Sequence, residues 1–319
     1  MRDTAYTSAV SRIRANENYL LTNADIDRLL GAKDAAEVAS FLADKGYGGG
    51  AEMPELFAKE RERAWDLIRE VAPDFSLFYP LLVPNDFHNA KAVLKGTISG
   101  LDYAPLLMQP SVLPPEELKS AVDARKFSSL PDWIGPALET AYDALTHTGD
   151  GQLTDVALDH ACLEAILRFG EAQKDAFVRG YCACVVQTAD LRIAARSAAT
   201  GKRAAFLESA LVPCGRIDTA SLTVAALEGV SAVADWMDAN DWPDAASALR
   251  SSPAALERWC DNALTDYVRE ARYAIFGISP LYQYLASKNA EIAAVRVIYT
   301  GKRAGFSEEK IKSYLRALV

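Results

Sequence analysis

The sequence predicts an all-α fold built from three quasi-equivalent helical modules. Helix start and stop signals recur along the whole chain, and long segments place apolar residues at the three- and four-residue spacing of an amphipathic helix. The pentapeptide TGKRA occurs twice, at 200–204 and at 300–304. The one β-like run, VRVIYT at 295–300, lies inside a helical period without a hairpin signal, so we predict helix there as well.

Local signals justify the helices in the first third of the chain. Asp34 is the predicted N-cap of DAAEVASFLADKGY, with Glu37 at the capping-box position and Gly46 as the stop. In the segment NDFHNAKAVLKG, Asp86 is the predicted cap of a helix that begins at Phe87.

Prolines mark two later helix starts. Pro115 opens the helix PPEELKSAVDA, and the two glutamates behind it suit the positive end of the helix dipole. Ser279 is the predicted cap of SPLYQYLASKNAEIAAVRVIY, with Pro280 at the first helical position.

Composition excludes several classes of protein. The net charge of −9 leaves no basic stripe to neutralise phosphates, which argues against general nucleic-acid binding. It fits docking onto a basic protein surface, and it fits simple solubility equally well. The N-terminus lacks the apolar core of a signal peptide, and no apolar stretch reaches the length of a membrane span, so we expect neither.

The five cysteines predict free thiols in a reducing compartment, because their number is odd and their spacing matches no disulfide framework. Cys182 and Cys184 resemble half of a metal site. On a helix, however, residues two apart point to nearly opposite faces, and no second cluster of Cys or His lies nearby. We therefore predict no metal there.

The Gly-Lys pair of TGKRA first suggests a phosphate-binding loop. That loop needs a Gly five positions before the pair and a Ser or Thr after the Lys. Those positions hold Arg196 and Arg203 in one copy and Arg296 and Arg303 in the other, and no predicted strand precedes either copy. Nucleotide binding at this motif is excluded on both requirements.

Duplication explains the motif better. Residues 189–208 match residues 289–308 at nine of twenty positions without a gap, and NDFHNAKAVLKG is a looser third copy in which Lys91 precedes Gly96 by five. An amphipathic helix precedes each copy. The glycine of each copy is predicted to end a helix in the left-handed conformation. We predict module boundaries at 1–105, 106–208 and 209–319.

Four basic residues form the candidate partner interface: Lys91, Arg192, Arg196 and Arg296. Arg192 and Arg196 are four apart on a helix made mostly of Ala, Leu and Ile, and like charges at that spacing repel unless something opposes them. Either they meet carboxylates of a partner, or they pair with an acid elsewhere in the chain, and Arg296 has the same two interpretations. Which arginine corresponds to Lys91 also stays open, because a four-residue gap places Arg192 there and an ungapped alignment places Arg196.

The sequence shows no pattern typical of catalysis. The three histidines are scattered without ligand spacing, and no Ser-His-Asp, Cys-His or paired-carboxylate arrangement stands out. We predict no catalytic residue, no cofactor and no metal.

Motif order along the chain resembles the C subunit of prokaryotic V/A-type rotary ATPases, whose eukaryotic counterpart is the d subunit. The resemblance rests on NDFHNAKAVLKG, TADLRIAARSAATGK and KNAEIAAVRVIYTGKRAGFSEEKIKSYLRAL, and on the N-terminal segment SAVSRIRANENYLLTNADIDRLLGAKDAAEVASFLADKGY. It implies a pseudo-three-fold funnel that sits on the cytoplasmic face of the membrane rotor ring and receives the tip of the central shaft. Such a socket carries torque without catalysing a reaction.

The resemblance therefore leads us to expect a non-catalytic central-stalk subunit of an ion-translocating rotary ATPase or ATP synthase. Its partners would be the shaft subunits and the rotor ring, it would be peripheral to the membrane, and it would be a monomer in isolation. Proton against sodium transport, and synthase against pump direction, stay open. The alternative is a helical-repeat adaptor or scaffold unrelated to ion transport.

Overall fold

The computed structural model describes residues 3–48 and 52–316. Within these ranges the chain forms sixteen α-helices and no β-strand, which confirms the predicted all-α fold. The helices are α1 (Thr7–Glu17), α2 (Asn23–Gly31), α3 (Ala35–Leu42), α4 (Met53–Val71), α5 (Tyr79–Ser99), α6 (Pro115–Ala124), α7 (Gly135–Thr148), α8 (Gly151–Glu171), α9 (Ala176–Thr200), α10 (Ala204–Ala210), α11 (Thr219–Glu228), α12 (Val230–Ala239), α13 (Pro243–Ser251), α14 (Pro253–Arg269), α15 (Ser279–Arg303) and α16 (Glu308–Tyr314).

The predicted cap of α3 is confirmed. The Asp34 carboxylate accepts hydrogen bonds from the backbone N–H groups of Ala36 and Glu37. Glu37 does not complete a capping box, because its carboxylate accepts from the N–H of Lys33, one residue before the cap. The β-like run 295–300 lies within α15, as predicted. That helix begins at Ser279 itself, so the cap is Ile278.

Asp86 does not cap a helix, which corrects the sequence prediction. α5 begins earlier, at Tyr79, with a proline in its first turn, so Phe87 lies in the middle of the helix. Asp86 is fully buried and accepts hydrogen bonds from the N–H groups of Val112 and Leu113, at 3.1 and 2.8 Å. Its side chain fixes the segment that follows α5.

The chain divides into two compact units. The first combines residues up to Phe75 with residues from Thr265 onward, so both parts of the chain supply its helices. Its core includes Leu42, Val295 and Ile298, which are fully buried between α3 and α15 and their neighbours.

The second unit spans Ser76–Leu264. One of its cores lies between α9 and the helices α10 to α14 and contains the fully buried side chains of Leu191, Leu222 and Met237. This division follows other boundaries than the three modules expected at 1–105, 106–208 and 209–319. Those modules and their funnel arrangement stay predictions.

Three long helices, α5, α9 and α15, end in the same way. A glycine in the left-handed region follows each one: Gly100, Gly201 and Gly305 have φ angles of 70°, 65° and 70°. The next N–H then bonds to the carbonyl five residues earlier, which is the Schellman arrangement. These bonds run from Leu101 to Gly96, from Lys202 to Ser197 and from Phe306 to Gly301.

The observed helix ends correct the prediction that the glycine of every TGKRA-like copy ends a helix. Gly201 stops α9 as predicted, but Gly301 lies inside α15, four residues before Gly305, and Gly96 lies inside α5. Both internal glycines allow a close approach: a Cβ would lie 2.6 Å from Ile311 Cγ1 at Gly301 and 2.4 Å from Tyr103 Cδ1 at Gly96. One pentapeptide therefore has two structural roles.

Candidate partner interface

Lys91 pairs with an acid inside the second unit. It lies on α5, and its ammonium group contacts the Asp159 carboxylate on α8. One turn later on α5, Lys95 Nζ lies 2.6 Å from Asp155 Oδ1. Two bases four residues apart thus face two acids four residues apart, and both pairs tie α5 to α8.

Arg192 and Arg196 share acids on α14. Arg192 Nη2 lies 2.5 Å from Asp261 Oδ1, and its Nε lies 3.1 Å from Glu257 Oε2. Arg196 Nη2 lies 2.6 Å from the other oxygen of Glu257. Of the two interpretations that the sequence left open for these arginines, the structure shows the pair with acids elsewhere in the chain. Glu257 contacts both guanidinium groups and offsets their repulsion.

The helix ends also settle which arginine corresponds to Lys91. Lys91, Arg192 and Arg296 each lie nine residues before the left-handed glycine that follows their helix. Arg196 corresponds instead to Lys95. Sequence comparison left the two registers open, because the identical TGKRA letters favour one of them and do not show where each helix ends.

Arg296 has a different environment from its two counterparts. It is exposed on α15 in the first unit, and its guanidinium carbon lies 5.4 Å from the centre of the Phe57 ring on α4. Arg61 follows Phe57 by one turn and is half-buried. Burial lowers the pKa of Arg61, and the charge of Arg296 lowers it further. Among the residues that the structure describes, no carboxylate forms an ion pair with Arg61 or Arg296.

Buried polar side chains on the same three helices hold neighbouring backbone segments. Each accepts a hydrogen bond from an N–H group that no helix satisfies, as buried polar groups require. The bonds run from Val112 and Leu113 to Asp86, from Val212 to Asp190, and from Leu21 to Glu291. Burial raises the pKa of Asp190 to about 7.

A cluster of buried charges joins distant parts of the chain within the first unit. Lys288 Nζ on α15 lies 2.7 Å from Glu291 Oε1 and 3.2 Å from Glu60 Oε2 on α4. The Tyr47 hydroxyl donates to Glu291. Burial and the charge of Glu291 raise the pKa of Tyr47 well above its usual value. Sequence analysis missed this cluster, because nothing in the letters distinguishes these charges from exposed ones.

An exposed apolar loop precedes α15. Its side chains Tyr273, Ile275 and Phe276 are 85%, 71% and 51% exposed. Arg14 fixes the loop, because its Nη2 donates to the carbonyl oxygens of Arg272 and Ala274 at 2.8 and 3.1 Å. Large apolar side chains held in water are typical of a protein contact surface. The run YAIF between two predicted helices was the available signal.

The described part of the chain offers no metal site. Between residues 3 and 316, outside the gap at 49–51, no group of three His, Cys, Asp or Glu side chains is arranged to hold an ion. Cys182 and Cys184 are free thiols, and burial raises the pKa of Cys182 to about 12 and also raises that of Cys184. Such thiols are poor nucleophiles and poor ligands.

None of the helices in the described ranges has the length and apolar character that a bilayer crossing requires.

Comparison with known proteins shows which family this chain belongs to. Residues 9–314 match the model of the ATP synthase (C/AC39) subunit family. The C subunit of the V-type sodium ATPase of Enterococcus hirae is 20% identical over 314 residues, which cover 95% of this chain and 96% of that protein. The C subunit of the A-type ATP synthase of Methanothermobacter thermautotrophicus is 24% identical, over 98% of this chain and 87% of that protein. The corresponding protein of Halorubrum lacusprofundi is 24% identical over 96% of each chain. Since the family model spans nearly the full length, the chain belongs to the ATP synthase (C/AC39) subunit family.

Proposed function

We propose that this chain is the non-catalytic central-stalk subunit of a V/A-type rotary ATPase, a socket that couples the central shaft to the membrane rotor ring. The observation that carries the proposal is the family match over residues 9–314, together with relatives that are named as C subunits of V-type and A-type enzymes. The chain acts at the cytoplasmic face of the membrane through the complex. In isolation it is a monomer without cofactor, metal or ATPase activity.

A socket under torque needs broad contacts on two sides, and the proposal assigns partner contacts to Lys91, Arg192, Arg196 and Arg296. The first three already have carboxylates inside the chain, which reduces what a partner's acid would add. Arg296 has none among the described residues and is the strongest candidate of the four. The apolar loop at 273–276 is a further candidate contact.

Affinity isolation from native membranes tests the proposal. A tagged chain, solubilised in mild detergent, is expected to bring down the shaft subunits, the ring and the ATP-hydrolysing subunits in fixed proportion. The purified chain alone is expected to run as a monomer and to leave ATP unhydrolysed. Isolation with partners that belong to no ATPase would support the adaptor alternative instead.

A further inference from the structure

The helices that pair with α5 and α9 each carry two acids, four residues apart, that contact the basic side chains of those helices. On α8 these are Asp155 and Asp159, four residues apart, and they face the bases of α5. On α14 they are Glu257 and Asp261, again four apart, and they face the bases of α9. Twice, therefore, the basic residue nine positions before the left-handed glycine contacts a carboxylate of its own chain.

The first unit departs from this arrangement. α4 packs against α15 as α8 packs against α5, but here the Arg296 guanidinium lies over the Phe57 ring. Arg61 follows Phe57 by one turn on α4 and is close enough for the charge of Arg296 to lower its pKa. The apolar ring takes the place of one acid, and a second guanidinium takes the place of the other. Arg61 stays half-buried although the charge of Arg296 disfavours its charged form.

Arg61 is half-buried and Arg296 is exposed, and no carboxylate of the described residues pairs with either, so both guanidinium groups are available to an external acid. The Phe57 ring holds the Arg296 guanidinium through a cation–π contact, so the group is preorganised instead of free in water. Paired guanidinium groups present several N–H donors to a single carboxylate, which is the strongest common form of charged hydrogen bond.

We propose that Arg61 and Arg296 together form the receptor for an exposed aspartate or glutamate of a neighbouring subunit in the same complex. The inference rests on the proposed function and adds one new residue, Arg61, and the chemistry of the partner group. A carboxylate fits better than a phosphate because Asp159 and Asp261 fill the equivalent places with carboxylates. The partner subunit thus supplies the acid that α8 supplies to α5, and α14 to α9, within this chain.

Rebinding to a stripped complex tests the inference. Complex isolated from cells that lack this gene is titrated with fluorescently labelled wild-type chain and with the variants Arg61→Glu and Arg296→Glu. Each variant should raise the apparent Kd about tenfold or more, as expected when one partner of an interfacial charge pair is reversed. Lys59→Glu is the matched control: it makes the same charge change on an exposed position of α4, two residues from Arg61, and should rebind like wild type.

Failure of the inference is separable from failure of the proposed function. If wild-type chain does not rebind, the proposed function is wrong. If wild type rebinds and both Glu variants rebind equally well, the carboxylate receptor is wrong. Flotation with phosphatidylglycerol vesicles adds a third arm: wild-type binding that Arg61→Glu abolishes, with rebinding to the complex intact, would identify a lipid phosphate as the ligand and overturn the inference.

The thermal stability of the isolated chain shows whether Arg61 contacts a partner or supports the fold. Arg61→Glu places an acid one turn from Phe57, next to Arg296, so it should leave the thermal midpoint unchanged or raise it while rebinding weakens. A fall in the midpoint together with weaker rebinding would mean that Arg61 supports the fold, and the receptor would be rejected.

Discussion

Lys288→Met is expected to lower the free energy of unfolding of the isolated chain by about 3–5 kcal/mol, the cost typical of breaking a buried ion pair from one side. Lys288 is 6% exposed and lies between Glu60 and Glu291, which are 5% and 1% exposed. Methionine fills similar volume but leaves two buried carboxylates without their shared cation. Arg63 still contacts Glu60, whereas Glu291 keeps only the Tyr47 hydroxyl and one backbone N–H.

Urea unfolding followed by circular dichroism measures this loss. Lys33→Met is the matched control, since the Lys33 side chain is 79% exposed and makes only a loose contact, and it should change stability by less than about 0.5 kcal/mol. The double variant Lys288→Met with Glu291→Gln should recover part of the loss, because the amide oxygen still accepts from Leu21. A Lys288→Met protein within about 1 kcal/mol of wild type would show that the cluster is not a buried charge network.

Asp86→Ala is expected to cost about 2–4 kcal/mol, because it leaves the backbone N–H groups of Val112 and Leu113 buried without an acceptor. Asp86→Asn keeps one acceptor oxygen and should cost less, about 1–2 kcal/mol. The same urea experiment ranks the two variants. An equal cost for both would mean that the acceptor oxygen retained by Asn contributes nothing, so hydrogen bonding to Val112 and Leu113 would not explain the position.

The pH dependence of the wild type gives a second measure at this residue. Burial raises the pKa of Asp86 to about 6, although the N–H groups of Leu113 and Val112 oppose the shift. A raised pKa in the folded state stabilises the protein below the unfolded value near 4, and this contribution is lost as pH rises through about 6. Wild type should therefore lose, through this group, on the order of 2 kcal/mol relative to Asp86→Asn between about pH 4.5 and pH 7.5.

Local signals predicted the helices well because caps and turns depend on neighbouring residues. Asp34 caps α3 and Gly201 stops α9, as short-range chemistry requires. Asp86 was misjudged because its partners lie 26 and 27 residues away, and an aspartate before an apolar run looks the same whether it caps a helix or holds a distant loop.

Only part of the candidate interface could be predicted from the sequence. Lys91, Arg192, Arg196 and Arg296 were recognisable as basic residues on apolar helices, but their acids lie more than 60 residues away wherever they exist. The segment KERER has the pattern of a solvated helix face, so the sequence does not distinguish Arg61 from exposed charges. Only the packing of α4 on α15 shows that Arg61 stands where the other helix pairs have an acid.

The proposed coupling of the central shaft to the rotor ring is tested most directly by ATP-driven ion transport in membranes that lack this chain. If the chain couples the shaft to the ring as proposed, membrane vesicles from cells lacking this gene should hydrolyse ATP but fail to build an ion gradient. Adding purified chain should restore transport, and Lys59→Glu should restore it equally. Vesicles that transport ions at the wild-type rate without this chain would contradict the account.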